Sequence, residues 1–167
     1  MKNEYLTTCL NDHLAGSVGA LEMLDDMIDN CDGKPLDPIL TQLRADIRAD
    51  QDQLKALMKR LDVAEGTMRK AGAWMMEKLS RAKLSIGDSG HPNLELLQSL
   101  EMLLLGITGK RSLWRALSAT GENTSALHGF DLARLETRAS DQIERVEAAI
   151  LEIARAILRP EIDTSDE

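Results

Sequence analysis

The sequence predicts an all-α protein, a four-helix bundle, and three observations carry that expectation. Hydrophobic residues make up 43% of the chain but aromatic residues only 2%, so the apolar supply is Leu, Ala, Ile and Met, which suits helix-on-helix packing better than sheets. Apolar residues recur in alternating steps of three and four along stretches of about 25 residues, the stripe of an amphipathic helix. Four such stretches have similar length and are separated by Gly, Pro and Asp signals. At 167 residues a single domain over 1–159 is expected, followed by an acidic, disordered tail over 160–167.

The first helix is expected over 3–30, with Leu6, Leu10, His13, Ser17, Leu21, Leu24 and Ile28 on one face and Gly33 and Pro35 ending it. His13 therefore points inward. Gly16, Gly19 and Ala20 remove side-chain bulk beside it, which lets a neighbouring helix approach closely or leaves room for a bound molecule. Cys9 fits the apolar face and is assigned to the core, whereas Cys31 falls in the turn and is assigned to the surface. Helical rise puts the two about 30 Å apart, beyond disulfide reach.

The second helix is expected over 37–61: Asp37 supplies a cap and Pro38 fits the first helical position, where its missing N–H is no loss. Its seam is Leu40, Leu43, Ile47, Asp50, Leu54, Leu57 and Leu61. One seam position is a carboxylate, and a buried unpaired Asp is costly, so Asp50 requires a partner from another helix or a ligand. A shorter helix is predicted over 67–84, from Met68, Ala71, Met75, Leu79 and Ala82. The next long helix opens at Pro92 and runs to about residue 120 with Leu97, Leu100, Leu103, Ile107, Trp114 and Leu117 inward, while Gly106 and Gly109 echo the spacing of Gly16 and Gly19. The last follows a cap at Asp131 and carries Leu135, Ala139, Gln142, Val146, Ile150, Ile153 and Ile157 inward.

Because the short helix differs in length from the other four, residues 62–91 read as a long, partly helical crossover between the second and third bundle helices. Helix lengths and order in this arrangement resemble the ferritin-like superfamily. The resemblance implies a four-helix bundle with one long crossover. The dimetal members of that family carry Glu-x-x-His on two helices, and here no Glu lies three residues before His13, His91 or His128, so no metal ligand is carried over. The stretches Asn11–Gly16 and Leu105–Lys110 also look like segments of bacterial helical proteins, a likeness that implies no function.

With this topology, counting from helix ends places His13, Asp50, Thr108 or Lys110, and Gln142 with Asp141 beside it, within about two turns in depth. A polar layer of His13, Asp50, Lys110 and Gln142 is thus expected. A direct His13–Asp50 pair satisfies both groups and favours a charged imidazole, with Lys110 completing an ion network. Two readings stand side by side: a satisfied layer that fixes helix register, or a site for a ligand, a metal or acid–base chemistry in a pocket formed by the four glycines. Glu101 sits at the edge of its helix's apolar face and is expected to be solvated.

The segment 67–84 is basic in an acidic chain of net charge −8 and pI near 4.9. Arg69, Lys70, Trp74, Lys78 and Arg81 form a candidate interaction surface for an acidic partner or an anionic membrane, or else neutralise neighbouring carboxylates while the apolar face packs on the bundle. Trp114, with Arg111 and Arg115 beside it, is expected either in the core or as an anchor between copies. The acidic balance disfavours nucleic acid, no apolar run approaches a membrane span, and the first residues lack a signal-peptide layout, so a soluble cytoplasmic protein is expected, as a homodimer, with a protein partner possible and no cofactor assigned. The function this supports first is a non-catalytic structural or interaction module of ferritin-like build without a functional diiron centre. The alternative is a ligand- or metal-binding protein, or an enzyme, using the layer around His13 and Asp50.

Overall fold

The computed structural model describes residues 4–31, 33–64, 91–120 and 127–159. Among them the chain forms four helices: α1 (Glu4–Cys31), α2 (Asp37–Arg60), α3 (Pro92–Ala119) and α4 (Leu132–Ile157). At about 1.5 Å per residue each is roughly 35 to 40 Å long. No helix among the described residues is long and apolar enough to cross a membrane. The predicted helix over 67–84, with Arg69, Lys70, Trp74, Lys78 and Arg81, and the predicted tail over 160–167 lie outside the described residues.

Helix ends follow local chemistry. Gly33, with φ of +69°, turns the chain after α1, where the Lys34 N–H donates to the Cys31 carbonyl. Asp37 does not cap α2 with its side chain. Leu36 holds the cap position in an already helical conformation, because the turn before it supplies carbonyls to the first free N–H groups, and the Asp37 carboxylate instead accepts the Thr41 hydroxyl. The α2 C-terminus closes in a Schellman turn: Val63 N–H donates to Met58 and Asp62 N–H to Lys59, with Asp62 left-handed at φ 52°. Asp131 does cap α4, its carboxylate accepting the Arg134 N–H at 2.9 Å. Arg60, ending α2, lies over the Phe130 ring just ahead of α4.

The helices pack as a square. α1 lies against α2 and α3, and α4 lies against α3 and α2, which leaves α1/α4 and α2/α3 across the diagonals. Cross-helix pairs give the directions. Arg44 meets Asp25 while Gln51 meets Ser17, so α1 and α2 are antiparallel. Asp46 meets Arg145 while Asp50 meets Arg138, and Lys110 meets Gln142 while Arg115 meets Glu136, so α4 is antiparallel to both α2 and α3. Diagonal helices α2 and α3 therefore run the same way.

One core fills the square, built from Leu10, Leu14 and Leu24 of α1, Leu40, Leu43 and Leu57 of α2, Leu100 and Leu103 of α3, and Ala139 and Val146 of α4. Small Ala139 and Ala149 let α3 and α4 approach closely, and Glu101 is exposed. The cysteine assignments are reversed: Cys31 is buried and Cys9 exposed. The stripe of α1 runs through Leu10, Leu14, Met23, Leu24 and Met27 and leads to Cys31, whereas Cys9 falls one residue off that stripe. Trp114 is a core residue, 1% exposed.

Candidate functional site: a saturated ion layer beside an interhelical cavity

Asp50 stands in the apolar seam of α2, so folding carries its carboxylate into the bundle, where it is 2% exposed. Water is replaced there by four protein donors. Its Oδ1 accepts from Nε of Arg138 at 2.7 Å and from the same guanidinium's Nη2; its Oδ2 accepts from Nζ of Lys110 at 2.5 Å and from Nε2 of Gln142 at 2.9 Å. Gln142, fully buried, closes a triangle by accepting a second Lys110 N–H on its Oε1. These groups come from α2, α3 and α4. Long side chains thus bridge α2 and α4, whose backbones stand further apart than those of α3 and α4, and a second pair, Asp46–Arg145, repeats the bridge one turn away.

Of the predicted layer, the structure brings Asp50, Lys110 and Gln142 together and leaves His13 out. Lys110 turns inward, its side chain 14% exposed. His13 makes no hydrogen bond or ion pair among the described residues, because both Asp50 oxygens are already taken. The expected charged imidazole is replaced by its opposite: burial pushes the His13 pKa down, and the nearby Asp12 charge only partly opposes this. Burial also pushes the Lys110 ammonium below its ordinary value, against the pull of Asp50, and the Arg138 charge adds to the lowering. Arg138 is the partner the sequence did not reveal. It lies four residues before Gln142, on the same helix face, and that spacing was its only signal.

His13 lines a partly open cavity of about 280 Å³ between α1, α2 and α3. Three of the four glycines help to form it. Gly16 of α1 faces Gly106 and Gly109 of α3 across the space, whereas Gly19 is buried outside it. A Cβ on Gly109 would stand 3.8 Å from Cε1 of His13, and one on Gly106 would meet nothing within 4 Å. Ile47, Leu54, Ile107, Leu113 and Trp114 supply apolar wall, and Asp50 and Lys110 bring the ion layer to its edge. On the α1–α2 side the buried Gln51 donates to the Ser17 hydroxyl at 2.8 Å and accepts from Arg48; Ser17 in turn donates to the Leu14 carbonyl. Among the described residues, two buried side-chain polar atoms have no hydrogen-bond partner: Oδ1 of Asn11 and Nε1 of Trp114.

No family model, curated protein or solved structure matches this chain.

A divalent metal does not suit this layer. The Asp50 carboxylate faces two cations, its lone pairs are occupied, and among the described residues no group of three or more His, Cys, Asp or Glu side chains converges. Among the described residues no carboxylate hydrogen-bonds to His13 to orient it as a general base. What the arrangement offers is a preformed apolar space with a few polar groups at its margin.

Proposed function

We propose that this chain is a small-molecule-binding four-helix bundle of ferritin-like build, without a diiron centre, whose ligand lies between α1, α2 and α3. One observation carries the reading: the 280 Å³ cavity beside a polar layer that is already satisfied. The space is walled by apolar side chains with a few polar groups at its margin, and it lies where glycines on two facing helices withhold side chains. The ion layer then has a structural task. It fixes the register of α2, α3 and α4 and so holds the cavity open, and the site binds rather than turns over its occupant.

The ferritin-like part of the proposal is supported by the parallel diagonal pair α2 and α3. Two helices running the same way need a connection that returns the length of the bundle, the topology expected of a crossover over 62–91.

The test is whether a neutral apolar probe stabilises the folded chain. Octan-1-ol is expected to raise the unfolding midpoint in proportion to its occupancy, and Gly109→Leu, which places a side chain in the cavity, to abolish the shift. An unchanged midpoint across the solubility range of the alcohol sinks the reading.

A further inference from the structure

We infer that the molecule held in this cavity is an apolar monocarboxylate of about ten heavy atoms, its carboxylate meeting the ammonium of Lys110. The inference rests on the cavity being a binding site and adds the chemistry of its occupant.

Size comes first. An interior cavity of about 150 Å³ holds benzene, six heavy atoms. A space of about 280 Å³ is nearly twice that, so it takes an eight-carbon chain or a phenylpropyl body with a small head. Walls of Ile47, Leu54, Ile107, Leu113 and Trp114 match such a body and offer it no hydrogen bonds beyond the indole edge.

The head follows from charge and from donors left over. Lys110 belongs to a partly buried ion cluster in which the carboxylates of Asp46 and Asp50 meet Lys110, Arg138 and Arg145. Of these cations only Lys110 lines the cavity. An ammonium has three N–H donors, and Lys110 spends two, on Asp50 and Gln142. The third has no acceptor among the described residues. A buried ammonium with an idle donor beside an apolar space is a site for an anionic acceptor, and a charged hydrogen bond there is stronger than one in water.

His13 sits across from Gly109, next in the chain to Lys110, and burial keeps it neutral. It can give one N–H to the second carboxylate oxygen without adding charge. Two carboxylates also line the cavity: Asp12 is exposed, where water screens its repulsion, and the Asp50 charge is paired with Lys110 and Arg138. A cationic ligand would meet Lys110 head-on, and a neutral hydroxyl accepts from it without the charge pairing that a carboxylate adds.

Isothermal titration calorimetry of the full chain with octanoate, octan-1-ol and octylammonium tests this. Octanoate is expected to bind one to one, at least tenfold more tightly than octan-1-ol, with octylammonium weakest. Lys110→Met leaves Asp50 with Arg138 and Gln142; it should remove the octanoate preference, bringing octanoate to the affinity of octan-1-ol or below. Equal binding of octanoate and octan-1-ol, or a preference that survives Lys110→Met, overturns the carboxylate and leaves the cavity reading standing. Binding of none of the three overturns both.

Discussion

Arg138 and Asp50, 88 residues apart in the chain, meet through two nitrogens of one guanidinium and a single carboxylate oxygen. This contact leaves the other oxygen to Lys110 and Gln142, so one seam carboxylate fastens three helices. Removing the acceptor is therefore expected to cost far more than removing any one donor. Asp50→Leu leaves the Lys110 ammonium without its carboxylate partner, held only by the Gln142 carbonyl, a loss of about 3 kcal/mol. Lys110→Met leaves Asp50 two partners and should cost about 1–2 kcal/mol, chiefly the unpaired Gln142 carbonyl. Urea unfolding of the two variants measures the asymmetry. Adding Lys110→Met and Gln142→Leu to Asp50→Leu should recover most of the loss, because Arg138, 29% exposed, can turn to solvent.

The pH dependence of stability is expected to carry a signature of His13. Burial holds its pKa below the ordinary value of about 6.5. Between those two values the unfolded chain binds a proton that the folded chain refuses, so stability rises with pH across that window. The contribution is whole above about pH 6.5, falls as pH drops below it, and levels off once the folded imidazole is charged. Asp12 beside it, and Lys110 and Asp50, line the same cavity. Urea midpoints from pH 8 to pH 5 should thus fall more steeply in the natural chain than in His13→Gln, and parallel curves would rule the mechanism out.

Gln51 and Ser17 join α1 to α2 by a buried bond at the opposite wall of the cavity. A double-mutant cycle with Gln51→Leu and Ser17→Ala is expected to give a coupling of about 1 kcal/mol. The exposed pair Arg44–Asp25 spans the same two helices, and Arg44→Ala should leave the urea midpoint nearly unchanged, because water screens that contact.

How far the site was legible follows from which residues obey helical spacing. Asp50 stood out because a seam otherwise of Leu and Ile names its own exception, and counting residues from the helix ends placed Lys110 and Gln142 at its depth. Arg138 did not stand out, because an Arg beside an apolar stripe is nearly always solvated, and only the distance between α2 and α4 makes its length necessary. The His13–Asp50 pair failed for a related reason. Depth along a bundle does not say which corner a side chain faces, and α1 turns His13 toward α3, where Gly109 has no side chain to stop it. Cys9 differs from expectation by one helical position, a rotation of about 100° that no apolar count resolves, and Cys31 because α1 runs one residue further than expected and keeps it on the buried stripe.

Gly106 and Gly109 set stability against occupancy. Both lie inside α3, where glycine costs about 1 kcal/mol relative to alanine through backbone freedom in the unfolded chain. Neither is required by its surroundings: an added Cβ meets nothing at Gly106 and makes only ordinary contact with His13 at Gly109. Gly106→Ala and Gly109→Ala should each raise the unfolding free energy of the ligand-free chain by about 0.5–1 kcal/mol, as urea titrations will read. The two should then part in binding. At Gly109 the new methyl lies against the imidazole and narrows the space next to Lys110, so octanoate is expected to weaken severalfold; at Gly106 the methyl enters open space at the cavity margin, and affinity should hardly change. If Gly109→Ala stabilises the chain and leaves octanoate binding intact, the glycine is not there for the ligand, and the cavity must be explained by helix packing alone.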